Sequence, residues 1–426
     1  MFDHGELGGL CILRGCMPSK TMLHAAHLAH AASHSHTSGV RVHGATIDFA
    51  AVMANKDAKV ARFQRAKIAG IEADAYDVIH ARARFTGPDT VEAGGKTYRF
   101  TRGAVIATGS TPVIPPVPGL DDLPFMTSDD VMKLTERPAS ILVIGTGAVG
   151  LEMSQFFARM GTRVTLVSRR RALEEIDPLL AEEMERILAD EPGLDLIQPA
   201  RTVRAQRRGE GVEIELQDGR RVPAERLLVA AGRRALLEDL DLPAAGVETR
   251  EGGIVCGDDL RTTNPRVFAA GDATGREMIL HVAGREGVVA GRNAAAGTIV
   301  ETVDRRLHLR IVFTDPPLAV LGLSQREAEE RGLQVVTACL TFPETGRAIT
   351  MDVRHGLCKL VADASRGEIL GAQILGPRAD DTIHTIAAVM RYRGTASDML
   401  TIPWYHPTLS EVFLSLAREI EEERGG

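Results

Sequence analysis

The sequence predicts an α/β protein, and three observations support this fold class. The 426 residues include 42 glycines but only 4% aromatic residues, a balance that suits a fold with many tight turns. An apolar strand, a glycine-rich loop and a helix follow one another from residue 140. Beyond residue 304, predicted strands alternate with amphipathic helices. The length is sufficient for two or three domains.

Composition excludes several classes of function. The net charge is −7 and the basic residues are dispersed, so we expect no nucleic-acid partner. No apolar run reaches the roughly 18 residues of a membrane-spanning helix, and no signal peptide is evident, so we expect no membrane partner. Five cysteines in such a chain argue against a disulfide framework. The predicted location is the cytoplasm.

Four segments follow one another along the chain. Residues 1–137 begin with a cysteine block and end with a strand and a Pro-rich stretch. Residues 138–257 open with the apolar strand and the glycine loop. Residues 258–303 carry a short strand and a helix of small residues, and residues 304–426 contain the alternating strands and helices.

The glycine loop is Gly145-x-Gly147-x-x-Gly150. It follows a strand, precedes a helix and is succeeded by a second strand at residues 162–167, which is the βαβ context that gives this motif its meaning. Glycines allow backbone to approach a pyrophosphate, and the helix N-terminus offers N–H donors to it. The sequence therefore predicts a dinucleotide site here.

The end of the second strand indicates which dinucleotide binds. An acidic residue there would bind the ribose 2′-hydroxyl of NAD, but this chain has Ser168, Arg169, Arg170 and Arg171. Guanidinium groups can bind a 2′-phosphate, so NADPH is predicted and NADH is less favoured. The alternative is that these arginines form a solvated turn.

The cysteine block contains Cys11 and Cys16, with four residues between them. Pro18 suits the first turn of a helix, whose free N–H groups would stabilise a thiolate at Cys16. The two thiols could then alternate between dithiol and disulfide. Two buried thiols in an ordinary core are the alternative for such spacing alone.

Residues 8–20 closely resemble the redox-active segment of the flavin-dependent pyridine nucleotide–disulfide oxidoreductases. That family includes dihydrolipoyl dehydrogenase, glutathione reductase and mercuric reductase. The resemblance implies two interleaved Rossmann-like domains, for FAD and NAD(P), plus a C-terminal α+β dimerisation domain. Residues 1–137 and 258–303 would form the FAD domain, residues 138–257 the NAD(P) domain, and residues 304–426 the dimerisation domain.

Three further turns carry the resemblance, in the family's order. Thr108 and Gly109 resemble the strand-ending turn that meets the second dinucleotide. Gly232 lies in a similar turn at the end of the NADPH domain. Gly271 and Asp272 resemble the turn beside the flavin, where the aspartate contacts the ribityl–phosphate part of FAD.

Two pairs of polar residues also match the family. His406 and Glu411 resemble its catalytic dyad, in which the carboxylate fixes the histidine tautomer and the histidine reaches the redox disulfide of the other subunit. Lys20 and Glu152 match a lysine–glutamate pair near the flavin. The resemblance thus implies an obligate homodimer.

The implied activity is electron transfer from NADPH through FAD and the Cys11–Cys16 pair to a disulfide. Three alternatives remain: a dihydrolipoyl dehydrogenase that uses NAD, a reductase of metal ions or quinones, and a catalytically impaired, truncated NADPH-binding homodimer. Mercuric reductases usually carry a cysteine pair near the C-terminus and usually lack the His-Pro-Thr dyad; this chain departs from them on both points. No motif identifies the disulfide substrate.

The family pattern normally opens with a βαβ portion of about 30 residues that holds the ADP half of FAD. Here Met1 stands only ten positions before Cys11. We expect a misplaced start codon rather than a true truncation. A true truncation would weaken FAD binding.

Five histidines crowd one segment: His24, His27, His30, His34 and His36. Three-residue steps bring some of them near one helical face, which would allow a metal site. Steps of three drift around a helix, and carboxylates are lacking nearby. We therefore predict a partly exposed helix face and no metal.

Overall fold

The computed structural model describes residues 1–43, 46–74 and 76–425. The α-helices of these residues are α1 (Gly9–Leu13), α2 (Cys16–His34), α3 (Phe49–Ala73), α4 (Ser128–Val131), α5 (Ala148–Arg159), α6 (Pro178–Ala189), α7 (Leu280–Ala296), α8 (Gln325–Glu330), α9 (Gly346–Ile349), α10 (Ala379–Arg391), α11 (Ala396–Leu400) and α12 (Val412–Gly425).

The strands of the same residues are β1 (Phe2–Asp3), β2 (Ile79–His80), β3 (Ala83–Gly87), β4 (Thr90–Ala93), β5 (Lys96–Arg99), β6 (Ala104–Ile106), β7 (Ser110–Pro112), β8 (Ser140–Ile144), β9 (Arg163–Val167), β10 (Leu194–Ile197), β11 (Thr202–Arg208), β12 (Gly211–Leu216), β13 (Arg221–Ala224), β14 (Arg226–Val229), β15 (Arg233–Ala235), β16 (Thr249–Arg250), β17 (Gly253–Ile254), β18 (Val267–Ala269), β19 (Leu309–Val312), β20 (Leu318–Gly322), β21 (Val335–Thr341), β22 (Leu357–Asp363) and β23 (Ile369–Leu375).

The chain divides into two compact units, each made of three segments. The first unit comprises Met1–Thr21, Met53–Pro115 and Ala231–Asp304, and the second comprises Met22–Val52, Pro116–Ala230 and Arg305–Gly426. Segments far apart in sequence therefore share one unit. The predicted domain boundaries remain predictions.

The second unit contains a parallel sheet in the order β10–β9–β8–β14. Helices α5 and α6 connect β8 to β9 and β9 to β10, which is the βαβ arrangement of a Rossmann-like half. Ile141, Leu142 and Val143 of β8 are all buried, as expected for a strand that is covered on both faces. This sheet places the glycine loop at the carboxyl end of β8. An antiparallel sheet, β11–β12–β13, separates β10 from β14 in the sequence.

A five-stranded antiparallel sheet lies in the C-terminal part of the second unit, in the order β19–β20–β23–β22–β21. Helix α10 packs on β20 and β23, and α12 packs on β21 and β22. Buried Leu360, Ile374, Ile386 and Phe413 contribute to one apolar cluster between the sheet and the helices. The amphipathic pattern of α10 follows from this arrangement, since Ile383, Ile386 and Met390 recur at helical spacing.

The first unit is built around short strands. Strand β18 lies parallel to β6, β1 lies parallel to β2, and β3–β4–β5 form an antiparallel sheet. Because β6 and β18 run in the same direction, the turns that follow them lie at the same edge. The fold thereby brings residues 107–109 near residues 271–272.

Candidate active site

The two cysteines of the N-terminal block lie on successive helices. Cys11 is in the middle of α1, and Cys16 is the first residue of α2; both are half-buried free thiols. Gly15 makes the tight connection possible, because a Cβ there would lie 3.0 Å from the Leu10 carbonyl oxygen and 3.1 Å from Cys11 Cα. The chain can therefore turn sharply enough for the two thiols to meet.

The surroundings of Cys11 disfavour its thiolate form. A hydrogen bond with Cys16 raises the pKa of Cys11 far above its usual range; burial and negative charge on Cys16 act in the same direction. The positive charge of Lys20, one helical turn beyond Cys16, partly opposes this increase in the pKa of Cys11. Cys11 therefore favours its protonated, thiol form. A base is needed before Cys11 can act as a nucleophile.

Glu152, the predicted partner of Lys20, lies on α5 and is only 4% exposed. Its Oε1 accepts a hydrogen bond of 2.9 Å from the backbone N–H of Phe313. This hydrogen bond offsets part of the unfavourable free energy of burying a carboxylate. The pairing of Lys20 with Glu152 remains a prediction.

The predicted dinucleotide loop joins β8 to α5. A Cβ at Gly150 would lie 1.8 Å from the carbonyl oxygen of Gly145, so only glycine permits this packing of helix against strand. Gly147, by contrast, faces open space, with no heavy atom within 4 Å of the position of a Cβ. Helix α5 begins at Ala148, so its first N–H groups are available beside that space. The loop fits a bound pyrophosphate.

Ser168 closes the end of β9 against this loop. The Thr146 hydroxyl donates a hydrogen bond of 2.8 Å to Ser168 Oγ, and the Gly145 N–H donates one of 2.8 Å to the Val167 carbonyl. Sequence reasoning missed Thr146. The sequence feature that could have revealed it is a hydroxyl side chain between the first two glycines of the motif.

The three arginines after Ser168 have different surroundings. The Arg170 guanidinium pairs with Glu175, and Arg171 makes a bidentate pair with Glu185 at 2.7 and 2.6 Å. Arg169 is exposed and makes no hydrogen bond or ion pair with any residue that the structure describes. Arg169 is thus the guanidinium that remains available to an incoming anion.

Three turns of the first unit meet beside β6 and β18. Thr108 and Gly109 directly follow β6, and Gly271 and Asp272 follow β18. Gly232 precedes β15, which pairs antiparallel with β7. The structure therefore brings together the three turns that carried the family resemblance, while the cofactor roles assigned to their residues remain predictions.

Asp272 is bound by Ser110, which is bound in turn by Arg233, and sequence analysis assigned neither residue to the site. Its Oδ2 accepts a hydrogen bond of 2.5 Å from Ser110 Oγ. Arg233 Nε donates to the same Ser110 Oγ at 2.8 Å, and Arg233 Nη2 donates to the Ser110 carbonyl at 2.9 Å. The sequence signal was weak, because Ser110 and Arg233 are 123 positions apart.

His406 and Glu411 meet as the resemblance implies. Nδ1 of His406 lies 2.9 Å from Oε1 and 3.0 Å from Oε2 of Glu411. The histidine side chain is 74% exposed, so Nε2 is accessible for proton transfer. The Thr408 hydroxyl donates to the Tyr405 carbonyl at 2.8 Å and steadies the turn that carries His406. The catalytic role of the dyad remains a prediction.

The histidine-rich helix makes polar contacts of another kind. His27 Nδ1 lies 3.0 Å from Asp315 Oδ2, and the rings of His30 and His34 stack with centroids 4.0 Å apart. Within the residues that the structure describes, no three His, Cys, Asp or Glu side chains group as metal ligands.

None of the described helices is both long enough and apolar enough to span a membrane.

Comparison with known families identifies the chain. Residues 1–287 match the family "Pyridine nucleotide-disulphide oxidoreductase", and residues 309–417 match its dimerisation domain. The chain belongs to this family. The resemblance, the fold class and the predicted class of enzyme, a flavoprotein oxidoreductase, are confirmed. The family depends on FAD and NAD(P)H, and the dimerisation domain supports a homodimer.

Individual relatives carry several names. Mercuric reductase of Bacillus cereus is 34% identical over 94% of this chain, and the match spans 64% of that enzyme's length. Mercuric reductase of Streptomyces lividans is 34% identical over 96% of this chain and 88% of its own. Dihydrolipoyl dehydrogenase of Geobacillus stearothermophilus is 31% identical over 97% of this chain and 89% of its own.

Solved structures show the same fold. The HOCl-induced flavoprotein disulfide reductase RclA of Escherichia coli has a TM-score of 0.85 and 25% identity, over 98% of this chain and 93% of that one. LpdA of Mycobacterium tuberculosis has a TM-score of 0.86 at 25% identity, over 98% and 93% of the two chains. These likenesses support the fold and class but do not identify a substrate.

Proposed function

We propose that this chain is an FAD-dependent oxidoreductase that transfers electrons from NADPH through Cys11 and Cys16 to a disulfide substrate. The observation that carries the proposal is the pair of hydrogen-bonded thiols, Cys11 on α1 and Cys16 at the start of α2, in a chain of this family. The net reaction converts NADPH, a proton and one disulfide into NADP⁺ and two thiols. FAD, when bound, relays the two electrons from the nicotinamide to the cysteine pair.

Residues of the first unit fit FAD. The turns at Thr108–Gly109 and Gly271–Asp272 lie at one sheet edge, where dinucleotides bind in such folds. Asp3 is a further candidate that sequence analysis missed. It ends β1, which runs parallel to β2, and an acidic residue at the end of such a strand can accept the hydroxyls of a ribose.

The cysteine pair performs the exchange with the substrate. Once Cys11 loses its proton, its thiolate attacks one substrate sulfur, breaks the disulfide and forms a mixed disulfide. The Cys16 thiolate then attacks the Cys11 sulfur, which releases the second substrate thiolate and closes the Cys11–Cys16 disulfide. Because Cys11 holds its proton tightly, we assign its removal to His406 of the partner subunit. The same histidine returns the proton to the departing thiolate, and Glu411 holds the ring in place.

The proposed choice of NADPH rests on the end of β9. Residues 168–171 contain no carboxylate that would repel a 2′-phosphate, and Arg169 is available to bind it. A comparison of kcat/KM for NADPH and NADH tests the choice. A clear preference for NADH would overturn it.

A metal ion is a second candidate acceptor. Several relatives are named mercuric reductases, and RclA of Escherichia coli has a solved Cu(II) complex. A dithiol such as Cys11–Cys16 suits a soft ion. NADPH oxidation that requires added Hg(II) or Cu(II), with no turnover of any disulfide tested, would favour this candidate over disulfide reduction.

Replacement of Cys11 by serine tests the proposal. C11S should abolish disulfide reduction but retain NADPH-dependent bleaching of the flavin absorption band, because hydride transfer does not need the Cys11 sulfur. C339S is the matched control, since Cys339 lies on β21 outside the proposed machinery and should leave both reactions intact. Disulfide reduction by C11S, or an unsubstituted chain that binds no FAD, would contradict the proposal.

A further inference from the structure

Three polar side chains from separate segments meet in the first unit. Ser110 lies on β7, Arg233 lies on the neighbouring strand β15, and Asp272 follows β18. All three are half-buried. Their hydrogen bonds form a chain from the guanidinium through the hydroxyl to the carboxylate.

The donors and acceptors give this chain one direction. A guanidinium only donates hydrogen bonds, so Ser110 Oγ must accept from Arg233 Nε. The single hydroxyl proton of Ser110 is then directed to Asp272 Oδ2, 2.5 Å away. Arg233 Nη2 also binds the Ser110 carbonyl, so the guanidinium holds this residue at two points. An ionised carboxylate is the natural end of such a chain, because charge-assisted hydrogen bonds are short and strong.

The second carboxylate oxygen of Asp272, Oδ1, remains available as an acceptor. Within the residues that the structure describes, Asp272 Oδ1 accepts no hydrogen bond. With Oδ2 fixed, the carboxylate plane is restrained and Oδ1 presents its lone pairs in one direction. Such a fixed acceptor suits a hydroxyl donor of a bound ligand.

We infer that Ser110 and Arg233 are positioning residues that orient Asp272 so that Oδ1 accepts a hydrogen bond from a ribityl hydroxyl of FAD. This inference rests on the FAD site of the proposed function. It concerns Ser110, which contacts Asp272, and Arg233, which contacts Ser110. Its consequence is that Ser110 matters for FAD affinity only while Asp272 is present.

A double-mutant cycle tests this dependence. FAD dissociation constants are measured by flavin fluorescence for the full chain, for S110A, for D272A and for S110A/D272A. We expect S110A to weaken FAD binding about tenfold, the loss that follows from a hydrogen bond to a charged group. In the D272A background the same substitution should have no further effect. S110T, which keeps the hydroxyl, should restore the affinity.

Matched variants separate positioning from structure. R233M should weaken FAD binding like S110A, whereas R234M should not, because the Arg234 guanidinium on the same strand pairs with Glu238 instead. The melting temperature of each apoprotein shows whether that variant folds. If R233M does not fold, the comparison of S110A with the unsubstituted chain is sufficient for the test. Equal losses from S110A with and without Asp272 would overturn the inference but leave the proposed function standing. Failure of the unsubstituted chain to bind FAD would overturn both.

Discussion

At the scale of single residues, Arg169 and Arg170 show how neighbours in sequence acquire different surroundings. Arg170 is neutralised by Glu175, while Arg169 has no partner among the described residues. We expect R169M to raise the KM for NADPH about tenfold, since it removes a charge-assisted contact with the 2′-phosphate. R170M is the matched control and should raise KM less than about threefold, since its guanidinium already binds a carboxylate. The KM for NADH should change in neither variant; equal effects of the two variants on NADPH would contradict the assignment.

The glycines of the dinucleotide loop differ in a testable way. A Cβ at position 150 would collide with the Gly145 carbonyl, so we expect G150A to destabilise the fold by about 3 kcal/mol or more. A Cβ at position 147 would meet only open space, so G147A should cost less than about 1 kcal/mol. G147A should nevertheless weaken NADPH binding, because the methyl group occupies the space proposed for the pyrophosphate. Denaturant unfolding and nucleotide titration check the two effects, and a G147A protein with unchanged NADPH affinity would refute the placement of the cofactor.

At the scale of elements, a cluster of ion pairs and hydrogen bonds binds the histidine-rich part of α2 to other segments of the second unit. Arg159, the last residue of α5, is 6% exposed and binds both Glu191 and Asp315, and His27 also binds Asp315. The hydrogen bond with Asp315 raises the pKa of His27. Burial and the nearby charge of Arg159 lower the pKa of His30 to about 4, so the adjacent ring stays neutral. Burial favours protonation of Asp315, but His27 and Arg159 outweigh it and hold the pKa of that carboxyl below its usual range.

The sign of the pH dependence follows from these shifts. Because the folded protein raises the pKa of His27, the stabilisation is fully present below about pH 6.5 and disappears as pH rises through the raised pKa. H27A should therefore lower the melting temperature relative to the unsubstituted chain at about pH 5.5 and have little effect at about pH 9. H24A is the matched control, since His24 is exposed on the same helix and makes no hydrogen bond, ion pair or ring contact with a described residue. A pH-independent effect of H27A would contradict the ionic contribution.

The same scale shows what sequence could and could not predict. The apolar runs at residues 140–144, 357–362 and 369–375 predicted strands that the structure contains as β8, β22 and β23, because continuous burial demands continuous apolar sequence. The sheets β3–β4–β5 and β11–β12–β13 escaped detection. Strands of these sheets contain charged residues, such as Arg204 on β11 and Glu215 on β12, so they lack a strong apolar signal. Ion pairs such as Arg171–Glu185 could not be predicted for a different reason. Nothing in the local sequence determines which carboxylate pairs with a surface arginine.

At the scale of the whole molecule, motifs were predictable but their supporting contacts were not. The turns at Gly109, Gly232 and Gly271 could be recognised one by one from their order along the chain. Their meeting in one unit depends on strand pairings between segments more than 120 residues apart, such as β7 with β15. Ser110 became a candidate only because those pairings put its hydroxyl between Arg233 and Asp272. Contacts of that sequence separation follow from the assembled fold and not from local patterns.

The dimer gives the sharpest test of the catalytic arrangement, because the proposal takes Cys11 from one subunit and His406 from the other. Homodimers of C11S lack the attacking sulfur, and homodimers of H406Q lack the proton carrier, so each should be nearly inactive. A heterodimer of the two holds one site in which Cys11 and His406 are both intact. Random exchange of equal amounts makes half of the dimers mixed, so disulfide reduction should recover to about a quarter of the unsubstituted activity. The C11S/H406Q double variant mixed with unsubstituted chain is the control: its heterodimers contain no intact site, so activity should fall to about a quarter instead of a half. If mixing C11S with H406Q restores nothing while subunit exchange is shown by mass, the base that serves Cys11 lies within its own subunit and the intersubunit assignment of His406 is wrong.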